Sequence, residues 1–597
     1  MTVQLDESQA AAVEVDPGTR QIVIAGPGSG KTEVVAALLQ HLVTVQDVDP
    51  VDGVVVLSFS RAAVHAVTRR LREAPSVTAA PAVRTLDSLA VEVLADNGYE
   101  YEHLTFDDRI VAATAVLKER GWFALEALLH IVVDEVQDVV GLRADFLLAI
   151  LGGLARDAGF TLLGDPAQAI YDFQLGEHSM TTSADLLHLA ADLGRVHMRE
   201  LTGQYRAETR ETAQLMDVRA TVLEGTRLSA RKMQSALAGV VPMGSIEDAA
   251  AYLRRWAGPT AFLTRTNGQA LLVAEQLWGV SVAATIRRPA ANRSIAPWIA
   301  RAVRALALAR DSFDRSEFES AVRPWLAAEE VASAWRAVRT AARARGPRVE
   351  ARSLAAGLAG RGAVPGELLS QQECGVVVST VHRAKGLEFD NVILVEFPDD
   401  ARTPGETERP DEARRMYVAA TRARLRLGRA TGPKVWNLRR DEPTGRWYLR
   451  GREAWQTFGV ELRGTDMNRR RPPGVDRGVV QDHLVHVRDG DPLRLRLDKN
   501  ESLGSDFPVY SVIHESVIIG MTSVDFGEAL AARIGPASRR RPGTPSWPAL
   551  SGAHVETLET VAGAPVDDEG GIGRSGLWVG VRPAGMLRLS WREETDA

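Results

Sequence analysis

Cysteine is nearly absent from this chain. Cys374 stands alone among 597 residues, so no internal disulfide can form and the framework of a small secreted protein is excluded. A zinc cluster built on cysteine is excluded on the same ground. Lysine is scarce too. Six lysines (Lys31, Lys118, Lys232, Lys385, Lys434 and Lys499) accompany 65 arginines, so arginine is the default cation and a single arginine says little. No apolar run reaches the ~18 residues that a membrane-spanning helix needs. The opening MTVQLDESQAAAVEV is acidic and lacks the basic-then-apolar pattern of a secretory signal. The expected location is therefore cytoplasmic, with no membrane partner. Positive charge is not in excess either: the net charge is -6. That excludes a small basic DNA-binding domain but allows a basic groove on an acidic body.

The length predicts about three to five domains at roughly 100–200 residues each. With 45% apolar and 25% charged residues, the composition is that of globular protein. Short apolar runs alternate with amphipathic stretches along the first 200 residues. Gln21–Ala25, Val54–Phe59, His130–Val133 and Thr161–Leu163 read as strands, and Glu33–Val43 and 61–74 as helices. That alternation predicts an α/β fold with a parallel sheet covered on both faces. Ala261–Leu263, Gly375–Thr380 and Asn391–Glu396 repeat the pattern. Between them, 285–372 reads as a helical insertion carrying 15 arginines against eight acidic residues. Solvated helix faces account for that excess as readily as a surface for nucleic-acid backbone. MNRRRPPG (467–474) has linker composition, and the β-like runs beyond it predict a small β-rich C-terminal domain.

Two motifs carry chemistry on their own. AGPGSGKT (25–32) follows a strand and opens a helix. Gly26, Gly28, Ser29 and Gly30 let backbone N–H groups curl around phosphate oxygens. Lys31 reaches the β- and γ-phosphates, and the Thr32 hydroxyl ligates Mg²⁺. VVDEVQD (132–138) ends a strand in two carboxylates. Asp134 is placed to hold Mg²⁺, and Glu135 to orient and deprotonate an attacking water.

With these two motifs about 100 residues apart, and others following in order from Leu5 to Arg424, the chain resembles a superfamily 1 helicase of the UvrD/Rep/PcrA type. The resemblance implies two RecA-like domains of the P-loop NTPase fold, ATP and Mg²⁺ as cofactors, and single-stranded DNA, or DNA with a single-stranded tail, as partner. LDESQ (5–9) resembles the adenine-reading motif, with Gln9 on the base. LSFSRAA (57–63) resembles the first DNA-contacting motif, with Phe59 and Ser60. LLGDPAQAIYDF (162–173) implies that Gln168 senses the γ-phosphate and that Tyr171 and Phe173 face DNA bases. GQYR (203–206) implies Tyr205 on adenine and Arg206 at the γ-phosphate. LTRTNGQ (263–269) supplies Arg265 and Asn267. STVHRAKGLEFDNVILVE (379–396) supplies Thr380 and His382 to the DNA backbone and Glu388 to the ribose. EARRMYVAATRAR (412–424) supplies Arg422 as a second arginine finger.

On this resemblance the domains are 1–200 for the first core, 201–284 with 373–465 for the second, 285–372 for the insertion, 466–484 for a linker and 485–597 for the β-rich domain. Three departures stand out. Asp87 occupies the place of a histidine that the family often has, Phe173–Gln174 stands for a Trp–Arg pair, and Glu33 follows Thr32 where an arginine is common. Only about 45 residues separate Ser88 from Asp134, so the first accessory subdomain is expected to be tiny or missing. The leading expectation is an ATP-dependent, 3′–5′ single-stranded DNA translocase or helicase in DNA repair or anti-phage defence. The alternative is an ATP- and DNA-gated switch acting on a partner nuclease or repair complex through the C-terminal domain. Small-molecule phosphoryl transfer needs only the phosphate loop and leaves Arg206 and Arg422 unexplained.

Overall fold

A computed structural model of the chain describes residues 4–58, 82–172, 175, 179–205, 218–287, 294–307, 311–360, 364–370, 375–398, 410–453, 456–469, 476–503, 507–534, 547–563 and 575–591. The chain forms two compact units: Met1–Val241 with Ala384–Val392 and Thr403–Gly428, and Pro242–Arg383 with Ile393–Arg402 and Arg429–Ala597.

The first unit is organised on six strands: β1 (Arg20–Ala25), β2 (Val54–Ser58), β3 (Ala82–Thr85), β4 (His130–Asp134), β5 (Gly159–Gly164) and β6 (Val196–Leu201). Their order is β3-β2-β4-β5-β1-β6, and every pairing is parallel. Strands of such a sheet are buried on both faces, so they read as continuous apolar runs. Every residue of β2, β4 and β5 is buried, which is why those strands were legible in the sequence. β6 is an edge strand with only Leu201 buried. It carries no apolar run, and its place is set by pairing with β1, from Arg20↔Val196 to Ala25↔Leu201.

Helix Lys31–Thr44 buries Val34, Val35, Leu38, Leu39 and Leu42, one stripe at 3.6-residue spacing. The helix expected at 61–74 lies outside the described residues. The stretch between Ser88 and Asp134 holds most of helix Leu86–Asp96, all of Phe106–Arg120 and the short Ala124–Ala127. Their Leu89, Val93, Ile110 and Leu117 join Ile131, Phe146 and Phe160 in one core. This stretch thus packs into the first unit and builds no lobe of its own.

The second six-stranded sheet uses β7 (Val241–Ser245), β8 (Thr260–Thr264) and β9 (Thr285–Ile286). After a two-stranded ribbon, β10 (Ser312–Phe313) with β11 (Val349–Glu350), it adds β12 (Val376–Thr380), β13 (Phe389–Glu396) and β14 (Ala423–Thr431). The order is β7-β14-β13-β8-β12-β9, with β12 parallel to β8 and β9. The 285–372 stretch is helical, as its composition predicts: Pro297–Ala307, Arg315–Val322, Ala328–Ala341 and Ala351–Ala359. These helices enclose their own core of Trp298, Phe313, Phe318, Trp335 and Leu354.

An eight-stranded antiparallel sheet completes the second unit: β15 (Leu438–Arg440), β16 (Trp447–Arg450), β17 (Thr457–Leu462), β18 (Pro492–Leu497), β19 (Tyr510–His514), β20 (Val517–Met521), β21 (Ala549–Ala562) and β22 (Leu577–Ser590). The order is β15-β16-β17-β22-β21-β18-β19-β20. The β-rich region therefore draws strands from Leu438 onward, ahead of residue 485. Of the 466–484 stretch expected as a linker, Arg477–His483 is a helix whose N-terminus is capped by the Asp476 side chain on Val479 N–H. Among the described residues no helix is long and apolar enough to cross a membrane.

One half-buried acid in this unit gives a pH-dependent test. Glu275, on helix Asn267–Gly279, accepts a hydrogen bond from Met586 N and lies 3.9 Å from Arg588. Burial pushes its carboxyl up to about 7, against the pull of the Met586 N–H and of Arg588. A raised value favours the neutral form. Its contribution to stability is present below the ordinary value of 4.5 and is lost as pH rises through about 7. Glu275→Gln keeps an acceptor for Met586 and removes the charge. Its melting temperature should exceed that of the natural chain at pH 8, with the gap closing towards pH 5. Thermal melts of both proteins at the two pH values check this, and equal melting temperatures at pH 8 would refute it.

Candidate functional site

Three adjacent strands of the first sheet end on the same side. Because the order is β4-β5-β1, the turn after β5 lies between the glycine-rich loop after β1 and the carboxylates after β4. Carboxyl ends of parallel strands are where such sheets bind ligands.

The loop after β1 has Gly28 at φ 77° and Gly30 at φ 83°, left-handed conformations that glycine adopts without strain. At Gly30 a Cβ would also lie 2.5 Å from Gln9 Nε2, so a side chain there would displace the Gln9 amide. Ser29 turns its hydroxyl inward and donates to Gly26 O at 2.9 Å. Lys31 Nζ donates to Ala25 O at 3.2 Å and stands 3.9 Å from Glu135, spanning the space between loop and carboxylates. Thr32 is exposed at the start of the helix.

Gln9 and Tyr205 brace this loop from outside. Gln9 is buried. Its Oε1 accepts from Asp6 N at 3.1 Å and its Nε2 donates to Ser29 O at 3.0 Å. One lone pair and one N–H of the amide remain for a base. Tyr205 N donates to Gly28 O at 2.7 Å, and its hydroxyl donates to Asp6 Oδ2 at 2.6 Å. The ring is 60% exposed, a face left open for stacking.

Asp134 is the buried last residue of β4. Glu135 follows at φ 55°, a left-handed conformation that costs a residue with a Cβ about 1–3 kcal/mol and is found where function fixes the chain. The turn aims Glu135 N at Asp134 Oδ1, 2.9 Å away. Burial, and next the neighbouring Glu135 charge, push the Asp134 carboxyl well above the usual carboxylate range. Burial opposes the charge of Glu135 as well, but Lys31, Lys385, Gln137 and Arg422 together hold it below that range. The surroundings therefore favour the charge on Glu135 and disfavour it on Asp134, where a cation would offset the cost of burial.

A chain of side-chain amides ties these carboxylates to the turn after β5. Gln137 Nε2 donates to Glu135, and Gln137 Oε1 accepts from Asp165 N at 3.0 Å. Gln168 Nε2 donates to Asp165 Oδ2 at 2.9 Å, and Gln168 Oε1 accepts from Arg422 Nη2 at 2.9 Å. Arg422 is 3% exposed and is further held by Val418 O at 3.0 Å and Leu387 O at 3.4 Å. Gln168, Asp165, Glu135 and Arg422 thus form one hydrogen-bonded unit. Glu388, from the neighbouring segment, is exposed.

Two cations at this site had no assigned role in the sequence. Lys385 is 5% exposed, pairs with Asp138 and donates to Gln168 O. Its Nζ also lies 5.2 Å from the Tyr171 ring centre. Burial pushes Asp138 up to about 6, against the pull of Lys385. The one available signal was compositional: in a chain with 65 arginines, a retained lysine marks a place where a compact ammonium is needed. Arg219 bonds Asp165 at 3.0 Å and Glu200 at 3.1 Å, and its Nε lies 3.4 Å from where a Gly26 Cβ would be. No local motif announces it.

Four expected residues gather in the second unit. The parallel register Thr380↔Thr264 aligns the ends of β12 and β8. It sets Arg265 and Asn267, the first residue of helix Asn267–Gly279, beside Thr380 and His382. Thr380 is buried; Arg265 and His382 are half-buried. Phe59, Ser60, Phe173 and Arg206 lie outside the described residues.

A family model described as an AAA domain matches residues 9–174. Another, described as a UvrD-like helicase C-terminal domain, matches residues 365–428. No curated protein sequence matches the chain. Among solved structures, the crystal structure of Pif1 helicase from Candida albicans is 11% identical, with 72% of this chain and 95% of that chain covered at a TM-score of 0.37. An S. cerevisiae Dbp5 variant bound to RNA and ADP BeF3 is 11% identical, with 72% and 83% covered at a TM-score of 0.33. Scores that low carry no argument. The two family matches do, because the first spans Gly26–Thr32, Asp134, Glu135 and Gln168 and the second spans Thr380, Lys385 and Arg422.

Proposed function

Because the chain belongs to the ATP-hydrolysing UvrD-like helicases of superfamily 1, we propose that it is a 3′–5′ translocase on single-stranded DNA, acting in the cytoplasm in DNA repair or anti-phage defence. Residues 1–200 form the first RecA-like core, and 201–284 with 373–437 the second, the strands from Leu438 having joined the antiparallel sheet. Residues 285–372 are a reduced accessory insertion, and the antiparallel sheet from Leu438 onward, with helix Arg477–His483, is a module for a protein partner.

The observation that carries this reading is the bonding of Gln168. Its side chain joins Arg422 to Asp165, and its carbonyl oxygen accepts from Lys385, the ammonium beside Tyr171. A group that holds the phosphate-facing arginine also touches the cation next to the DNA-facing ring. A change at the nucleotide thus reaches the nucleic-acid face through two hydrogen bonds.

In this mechanism Gly26, Gly28, Ser29 and Gly30 present backbone N–H groups to the phosphates of ATP, and Lys31 neutralises the β- and γ-oxygens. Thr32 and Asp134 fit Mg²⁺, since Asp134 is a buried carboxylate whose charge only a cation can stabilise; the ion would draw charge from the phosphates. Glu135, held anionic, takes a proton from the attacking water. Arg206 and Arg422 stabilise the charge that grows on the transferring phosphoryl group. Tyr205 and Gln9 hold adenine, and Glu388 the ribose. Phe59, Ser60, Tyr171, Phe173, Arg265, Asn267, Thr380 and His382 hold the DNA strand. Each aromatic that stacks on a base contributes about 1–3 kcal/mol.

ATP turnover with and without single-stranded DNA tests the proposal. A motor on DNA should hydrolyse ATP several-fold faster when oligodeoxynucleotide is added, with little response to RNA of the same length. Turnover indifferent to DNA, or seen only with a second protein, would replace the translocase by a switch that gates a partner.

A further inference from the structure

The sequence excludes a cysteine-based metal centre, yet the fold assembles another donor set far along the chain from the nucleotide motifs. His483 ends helix Arg477–His483. His514 ends β19, and Glu515 begins the two-residue turn to β20, at φ 53°. One donor atom from each of these three side chains lies within 4.8 Å of the others, and among the described residues no other group of three His, Cys, Asp or Glu side chains does so.

The geometry is that of a ligand set. His483 Nε2 and His514 Nδ1 are 2.9 Å apart. Two imidazoles bound to one zinc-sized ion at about 2.0–2.1 Å place their nitrogens about 3.3 Å apart at the tetrahedral angle. An opening of a few tenths of an ångström between the histidines, with the exposed Glu515 side chain turned inward, therefore admits the ion. His514 is buried, and its other nitrogen, Nε2, meets Asp491 Oδ2 at 3.2 Å. A carboxylate behind a ligating histidine fixes the ring and its tautomer. With Nε2–H donated to Asp491, the lone pair of His514 sits on Nδ1, where a ligand needs it. His483 Nε2 carries the proton of the bond between the rings. Moving that proton to His483 Nδ1 frees the second lone pair with no net release. A bond chain from Asp491 through His514 to His483 accounts for three of the four residues but leaves Glu515 unused; a cation uses all four.

We propose that His483, His514 and Glu515, oriented by Asp491, bind a divalent cation of the zinc class, with a fourth position open to water. The ion clips the helix to the β19–β20 hairpin. Val479 and Val480 of that helix and Ser516 and Val517 of the hairpin line a cavity of about 590 Å³, so the ion fixes the distance between two of its walls.

The test uses the untagged full-length protein, freed of metal with chelator and titrated calorimetrically with Zn²⁺ in the presence of ATP and Mg²⁺. The natural chain should take up zinc stoichiometrically and melt at a higher temperature with it. His483→Gln should abolish both effects, and Glu515→Gln should weaken binding. Asp491→Asn, which leaves every ligand in place, should lower affinity by about 10–100-fold. Circular dichroism of each metal-free variant separates loss of the site from loss of the fold. No zinc uptake by the folded natural chain, or equal affinity in folded His483→Gln, would overturn the proposal and leave an Asp–His–His hydrogen-bond chain.

Discussion

Glu135→Gln should lower the rate of ATP hydrolysis by about 10²–10⁴-fold, the usual contribution of a positioned general base, while nucleotide binding stays near its natural level. The substitution is nearly isosteric, and glutamine is no worse than glutamate at φ 55°. Gln137 keeps an oxygen to donate to, and Lys31 keeps Ala25 O at 3.2 Å. What disappears is the anion. Glu135 is the carboxylate of the pair that its surroundings hold charged, because Lys31, Lys385 and Arg422 all oppose the penalty of burial. Asp134 does not replace it, since burial acts against its ionisation and the proposed Mg²⁺ would occupy its oxygens. Phosphate release at saturating ATP, paired with equilibrium binding of a fluorescent ATP analogue, separates chemistry from affinity. Natural turnover in the variant, or a binding loss as large as the rate loss, would remove Glu135 from the role of base.

Arg422→Ala should be more damaging still, with kcat falling by about 10³–10⁵-fold, the range found for arginine fingers in phosphoryl transfer. Arg422 is 3% exposed, and its guanidinium is held by Gln168 Oε1, Val418 O, Leu387 O and Thr421 Oγ1. These bonds fix its place, and such preorganisation lets a cation act on a transition state without reorganising. Truncation also strips buried acceptors of a donor, at about 1–3 kcal/mol each, so a thermal melt must accompany the kinetics. Arg422→Lys separates the two effects. It restores a buried charge but not the planar fork that bonds Gln168 and, on the proposed reading, would bond a phosphate as well. The lysine variant should therefore recover stability more than rate. A folded Arg422→Ala protein with kcat within tenfold of the natural value would sink the assignment.

The two halves of the site differ in how far the sequence alone revealed them. The phosphate loop and the Asp134–Glu135 pair were legible because their chemistry is local. Left-handed glycines, a lysine and a hydroxyl must follow one another within a few residues of a strand end, and so must a carboxylate pair. Both strands are buried on two faces, so their apolar runs announced them. Gln168 and Arg422 were found through resemblance, one motif at a time, but the bond between them joins residues 254 apart in sequence. Nothing in either segment encodes the other's position. Lys385 and Arg219 had no role until the fold put them beside Gln168 and Asp165. The edge strand β6 and the short strands β15 to β17 escaped notice for a related reason. β6, β15 and β16 bury few residues, so their place comes from hydrogen bonds to a neighbour and not from an apolar pattern of their own.

By itself the sequence determined that this chain is an α/β protein with a phosphate loop, a paired-carboxylate strand end and a β-rich tail. Those properties depend on contacts between near neighbours, where spacing and side-chain type are enough. Tertiary structure decided which distant polar groups share protons. It made Gln168 the junction of an arginine, a lysine and an aspartate, favoured the charge on Glu135 over that on Asp134, and brought His483 to His514. Burial and the strength of a hydrogen bond depend on what surrounds a group in space, and a linear chain states only what precedes and follows it.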